Sequence, residues 1–247
     1  MAIDFAAGRI LIDARAGEEE VRSTLKRYEP WRHRIDFSCG ASSADFQTFE
    51  PFNSTPSRKI QIAERGVGVL SGHVRALDVG CNAGYNSLYL ASRYGMQVLG
   101  VDNSLRHIQA ATDMARLAGI ETCRFVQDDA ETFRDPVGFD LIIHFGTLYH
   151  LKDPVQALRT ALVNLRPGGM LLLETQLSGS RWNRGATFIH GLRGDTSNWW
   201  ALGERALVDI CRTLGADARR VSRRYHLLPR SLQTRAFFKI TKPAAEG

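Results

Sequence analysis

The 247-residue chain has no apolar run long enough to cross a bilayer, and no signal-type apolar stretch behind its N-terminus. It is therefore expected to work in the cytoplasm, away from membranes. Its four cysteines, Cys39, Cys81, Cys123 and Cys211, fall in no C-x-x-C or metal-ligand spacing. That excludes a disulfide framework and a cysteine-bound metal, and leaves reduced thiols. Internal repeats and low-complexity tracts are absent, as are RRM, KH and zinc-finger signatures. No Gly-Lys-Ser/Thr run exists, which excludes a P-loop.

What is present is, in bulk, ordinary for a soluble globular protein: 44% hydrophobic and 23% charged residues. The length suits one well-cored domain with an appendage. A net charge of +6 favours an anionic partner. Arginines collect late, at Arg219, Arg220, Arg223, Arg224, Arg230 and Arg235. They read either as a solvated basic surface or as a flank that touches phosphate.

From Val74 onward, strand and helix patterns alternate. Strands are expected over Val74–Val79, Met96–Val101, Thr122–Gln127, Phe139–Phe145 and Met170–Glu174. Helices are expected over Tyr85–Tyr94 and Ser104–Ala118. A third starts at Asp153-Pro154, with Val155, Leu158, Leu162 and Leu165 on its apolar face and Arg166-Pro167-Gly168-Gly169 as its stop. A helix through Leu207–Leu214 and strands near Arg219–His226 and Thr234–Thr241 follow. Repeated strand–helix–strand units imply an α/β, Rossmann-like fold: a mostly parallel seven-stranded sheet with helices on both faces. Residues 1–70, with helical stretches at Glu18–Tyr28 and Ser57–Val69, read as an N-terminal cap. Residues 71–247 read as the main domain, with a lid insertion at about 178–200.

The most informative stretch is Ala76-Leu77-Asp78-Val79-Gly80-Cys81-Asn82-Ala83-Gly84, a buried strand entering a small-residue loop and then a helix. Such a loop lets backbone N–H groups approach a nucleoside-like ligand. The next strand ends at Asp102, where a carboxylate can accept from both hydroxyls of a ribose. The loop lacks the G-x-G-x-x-G spacing of dinucleotide sites. S-adenosylmethionine (SAM), which has no pyrophosphate, suits it better, with Asp78 helping to anchor the amino group.

Five stations stand in order: Leu77–Gly84, Val101-Asp102, Asp128-Asp129-Ala130-Glu131, Phe139–Ile142 and Leu165–Gly169. The series resembles that of class I SAM-dependent methyltransferases. A narrower resemblance lies in Trp31-Arg32-His33-Arg34-Ile35-Asp36, Gly80–Tyr85 and Gly146-Thr147-Leu148-Tyr149-His150-Leu151-Lys152-Asp153-Pro154. It is to the group around the tRNA wobble-uridine 5-oxyacetate methyltransferase-like enzymes, and it runs from about Trp31 to Pro243.

The resemblance implies a cofactor site of Asp78, Gly80, Cys81, Asn82, Gly84, Asp102, Asn103, Asp129, Ala130, Glu131 and Phe145. Gly80 would line the methionine end, Asp102 with Asn103 and Ser104 the ribose, and Asp129 to Glu131 the adenine. Phe145 either covers the cofactor or packs in the core. The tRNA-modifying members take a carboxylated SAM, and Tyr149, Arg235 and Lys59 stand near the contacts this implies. The tryptophan expected beside that lysine is missing from Pro56-Ser57-Arg58-Lys59, which favours ordinary SAM.

Methyl transfer from a sulfonium needs no acid, because the leaving group departs neutral. A base helps a hydroxyl or protonated amine acceptor. His150, with Tyr149 beside it, is the catalytic candidate, on the loop after a strand that should end at the ligand-binding edge of the sheet. His144 reads as a core residue, and His190 as an outside candidate. Glu174, Lys59, Trp199 and Arg235 are the substrate-binding candidates. Trp182, Trp199, Trp200 and Phe188 wall an acceptor pocket or anchor the lid, and Arg181, Arg184 and Arg193 would steer an anionic acceptor. The acceptor is expected to be a small molecule, methylated on oxygen or nitrogen. A tRNA wobble uridine and a SAM-binding protein without transferase activity are the alternatives. The oligomeric state is not legible.

Overall fold

The computed structural model describes residues 10–31, 33–46, 56–67, 75–179, 182–191, 196–224 and 234–243. Five strands and three helices alternate through its middle: β3 (Arg75–Val79), α3 (Tyr85–Tyr94), β4 (Gln97–Asp102), α4 (Leu105–Ala118), β5 (Cys123–Gln127), β6 (Phe139–Phe145), α5 (Pro154–Asn164) and β7 (Leu165–Ser178). They are followed by β8 (Ala186–Phe188), β9 (Trp200–Gly203), α6 (Glu204–Thr213), β10 (Asp217–Arg220) and β11 (Thr234–Thr241). The main path of the sheet is β10-β11-β7-β6-β3-β4-β5, the seven strands expected from the sequence, and β8 and β9 extend it to nine. β3 to β7 run parallel, while β11 enters between β10 and β7 antiparallel to both.

Local chemistry places most of these elements. Ser104 accepts from the His107 N–H at the start of α4, and Gly119 ends that helix in the left-handed conformation. Asp153 accepts from the Gln156 N–H, with Pro154 at the first helical position. β6 is buried from Leu141 to Phe145, as a central strand covered on both faces requires.

Four expectations are corrected. Val155 is 37% exposed and does not belong to the buried stripe of α5. Leu165 is already a strand residue, opposite Phe139, and the Arg166–Gly169 turn is a bulge inside β7 rather than a helix stop. The segment expected as a lid is partly stitched to the sheet, because β8 pairs β9 and β9 pairs the end of β7. The expected strand at 219–226 is β10, which ends at Arg220; residues 225–233, including Arg230, lie outside the described residues.

Ahead of the sheet stand β1 (Ile10–Ile12), α1 (Glu18–Arg27), β2 (Ile35–Phe37) and α2 (Pro56–Val67). β1 and β2 pair in parallel. Val21, Leu25, Trp31 and Ile35 join the same buried cluster as Tyr85, Leu88 and Met114, so the cap shares a core with the sheet. Polar ties hold it to α4: Tyr28 Oη donates to Asp113 at 2.8 Å, and Arg106 to the Tyr28 carbonyl at 2.6 Å.

Candidate functional site

One cavity of about 650 Å³ opens at the carboxyl edge of the sheet, where ligands bind in open α/β folds. Its size lies within the range of small-molecule sites. Gly80, Cys81, Asn82, Asp102, Asn103, Asp129, Ala130 and Phe145 line one part, and Lys59, Tyr149, His150 and Arg235 another. The strand ends carry most of these residues, which is why they were visible as a series in the sequence.

The glycine loop works differently from the expectation. All five N–H groups from Gly80 to Gly84 have partners inside the protein. Gly80 and Cys81 donate to the Val101 carbonyl, Asn82 to Asp102 Oδ2, Ala83 to Asn82 Oδ1, and Gly84 to the Cys81 carbonyl. No donor is left for a phosphate. The loop offers carbonyl oxygens beside the carboxylates of Asp102, Asp128 and Asp129, a lining suited to a cationic ligand. The turn depends on left-handed backbone at Gly80 (φ 71°), where a Cβ would sit 2.3 Å from Thr147 Oγ1.

Asp102 is the best-held group of the site. Burial pushes its carboxyl up. Hydrogen bonds from His107 and from the Ser104 and Asn82 N–H groups outweigh this and hold it below the usual range, so it stays ionised. Asp78, by contrast, is fully buried one layer down, is not among the lining residues, and accepts from Ser87 Oγ at 2.6 Å. Burial, with Asp102 nearby, pushes it up to about 7. Burial likewise raises the Cys81 thiol, keeping it neutral.

Other expected residues are displaced from the site. Gly84 is a packing position, where a Cβ would meet the Phe125 ring at 2.9 Å. Glu131 is a bracket to α5: its carboxylate accepts from the Asp153 N–H, and its carbonyl from Gln156 and Thr160. Glu174 is fully buried beneath the lining, where it accepts from Lys59 Nζ at 2.9 Å and from Arg235 Nη1 at 3.1 Å. Arg235 also donates to Tyr149 Oη at 2.8 Å. Lys59, Glu174, Arg235 and Tyr149, scattered along the sequence, thus form one connected cluster.

His150 lines the cavity and its Nδ1 lies 2.8 Å from the Ser197 carbonyl. A carbonyl only accepts, so Nδ1 carries the proton and Nε2 the basic lone pair in the neutral ring. His144 lies fully buried inside β6 with neither ring nitrogen hydrogen-bonded, and burial lowers it to about 4. Trp199 does not line the cavity. It stacks on His190 at 4.3 Å, with Phe188 and Trp200 close by and Lys152 over its ring. Trp182 is 69% exposed, and Arg184 faces Asp209. Arg181 and Arg193 lie outside the described residues.

Sequence reasoning missed His33, Tyr85, Asn86, His107, Thr147, Gln176 and Asn198 in the lining. His107 carried a signal: it falls in the first turn of the helix after Asp102, close enough to reach back. His33 comes from the cap, and only the tertiary fold brings it here.

Comparison with known proteins agrees with this geometry. A family described as a methyltransferase domain matches residues 70–188. A tRNA U34 carboxymethyltransferase of Desulfotalea psychrophila is 32% identical over 64% of this chain and 48% of its own length. A ubiquinone biosynthesis O-methyltransferase of Leptothrix cholodnii is 30% identical over 51% of this chain and 54% of its own. The chain thus spans about half the length of these curated relatives. Among solved structures, the N-terminal domain of EvdMO1, determined with S-adenosylhomocysteine (SAH) and D-fucose, superposes with a TM-score of 0.69 at 18% identity, covering 91% of this chain and 96% of that one. The sheet order and the acid at the end of β4 are those of the Rossmann-like class I S-adenosylmethionine-dependent methyltransferase fold, in keeping with the methyltransferase-domain match over residues 70–188 and the sequence similarity to the tRNA U34 carboxymethyltransferases.

Proposed function

We propose that this domain transfers a methyl group from SAM to an oxygen or nitrogen of a small polar acceptor. The observation that carries the reading is the two-sided cavity. One side has carboxylates and a loop with no free N–H donor; the other has His150, Tyr149, Lys59 and Arg235. SAM, when bound, supplies a methyl group on a positively charged sulfur. Asp102 accepts hydrogen bonds from the ribose. Asp129 and Ala130 face the adenine, and Gly80 passes the methionine end. Phe145, held edge-on by Phe237 at 5.3 Å, shields the cofactor from water. His150 Nε2 takes the proton of an acceptor hydroxyl or amine, with its tautomer set by the Ser197 carbonyl.

A tRNA wobble uridine is the second reading, favoured by the sequence similarity to several tRNA U34 carboxymethyltransferases. Much of the late arginine cluster counts against a broad phosphate surface, because it is engaged internally. Arg220 and Arg224 share Glu204, and Arg235 pairs with the buried Glu174. Incubating the protein with methyl-labelled SAM and either a metabolite extract or bulk tRNA separates the readings. Label in small molecules supports the first. Label in tRNA, with salt-sensitive binding, replaces it with the second. Label in neither, with SAM bound, leaves a binding protein without transferase activity.

A further inference from the structure

The hydrogen bonds already made to Asp102 restrict how it can meet a ribose. Its Oδ1 accepts from the Ser104 N–H at 3.0 Å and lies 3.1 Å from His107 Nδ1; its Oδ2 accepts from the Asn82 N–H at 2.9 Å. A carboxylate has about four acceptor positions, two on each oxygen. Oδ1 is therefore full, and Oδ2 has room for one more donor. A ribose brings two vicinal hydroxyls, so one of them needs another acceptor.

His107 is placed to be that acceptor. Asp102 is ionised and only accepts, so the Nδ1 facing it carries the proton, and Nε2 of the neutral ring carries a lone pair. The ring lines the cavity beside Asp102 and Asn103, its side chain is 31% exposed, and Nε2 has no partner among the described residues. The placement follows from the sequence: Ser104 caps α4 by accepting the His107 N–H, which turns this first-turn side chain back toward the end of β4.

We propose that His107 and Asp102 together form the ribose subsite, Asp102 Oδ2 accepting one hydroxyl and His107 Nε2 the other. This rests on the assignment of Asp102 to the ribose. His107 then has two jobs: its Nδ1–H holds the carboxylate, and its Nε2 reads the sugar.

Calorimetry with SAH and its 2′-deoxy and 3′-deoxy analogues tests the pair. His107→Asn retains a donor for Asp102 but has no counterpart to Nε2; His107→Leu lacks both. Each variant should bind SAH about fivefold or more weakly, the scale of one hydrogen bond. The His107→Asn loss should disappear for the analogue missing the hydroxyl that His107 accepts and persist for the other. Wild-type affinity in His107→Asn overturns the proposal, and so does an equal loss with all three ligands. If His107→Leu does not fold, the asparagine variant alone decides. Asp102→Ala is run beside them: unchanged SAH affinity there removes the ribose assignment itself, a failure distinct from that of His107.

Discussion

Arg235 reaches from β11 to Glu174 on β7, its Nη1 3.1 Å from Oε1, and neither side chain is more than 9% exposed. Lys59 closes on the other carboxylate oxygen at 2.9 Å. One buried anion thus holds two cations that line the cavity. Removing only the anion leaves charge without a counter-ion in a desolvated place. Glu174→Gln should lower unfolding free energy by about 3 kcal/mol in urea titrations. A loss below about 1 kcal/mol would mean that water reaches the cluster freely.

Gly80→Ala adds a methyl group where Thr147 Oγ1 stands 2.3 Å away, at a left-handed φ of 71°. Strain and overlap together should cost about 2–4 kcal/mol. SAM affinity should fall as well, since the loop holds Asp102 through the Asn82 N–H. Thr147→Ala in the same chain should recover part of the loss in thermal melts, but not the part due to φ. Full recovery would show that the backbone conformation is not strained.

Two buried groups give opposite pH dependences. Asp78 is raised to about 7 from an ordinary 3.8, so the folded state holds a proton that the unfolded chain releases. Its contribution is present at acid pH and is lost as pH rises through about 7. His144 is lowered to about 4 from 6.5, so its contribution is present above 6.5 and is lost as pH falls toward 4. Without cofactor, Asp78→Asn should gain stability over wild type between pH 5 and pH 8, and His144→Leu between pH 7 and pH 5, each by about 2 kcal/mol. Urea midpoints at the paired pH values check both. A stability difference that does not change with pH would refute either assignment.

His150→Ala should slow methyl transfer about a hundredfold or more while leaving SAM affinity within about twofold, because the residue is assigned to proton transfer and not to the cofactor. His150→Gln should be equally slow. If the glutamine variant retains full activity, hydrogen bonding alone explains the residue and no base is used.

The periodic parts of the fold were legible in the chain. Helix Tyr85–Tyr94 and strands Phe139–Phe145 and Thr234–Thr241 stand at the residues their patterns predict. Apolar spacing and caps such as Asp153 decide them locally. The lining of the cavity was legible at and just after the strand ends, at Gly80 to Asn82, Asp102, Asp129 and Tyr149. It was not legible where the contribution depends on contacts between distant segments. Gly84 and Glu131 matched the motif but serve packing and bracketing, since a motif does not say which side of a turn faces the ligand. His33, Asn86 and Gln176 reach the cavity only after the cap and sheet have closed.

The antiparallel strand β11 has a consequence for the order of events during folding. Arg235 lies opposite Gln176, and Phe237 lies opposite Glu174. The parallel units β3 to β7 can form as the ribosome delivers them, but the cavity wall waits for residues 234–241, which must thread between β10 and β7. Such distant pairing is slow relative to local helix formation. During synthesis, then, a nascent chain can present the glycine-loop wall of its cavity well before the wall that carries Arg235.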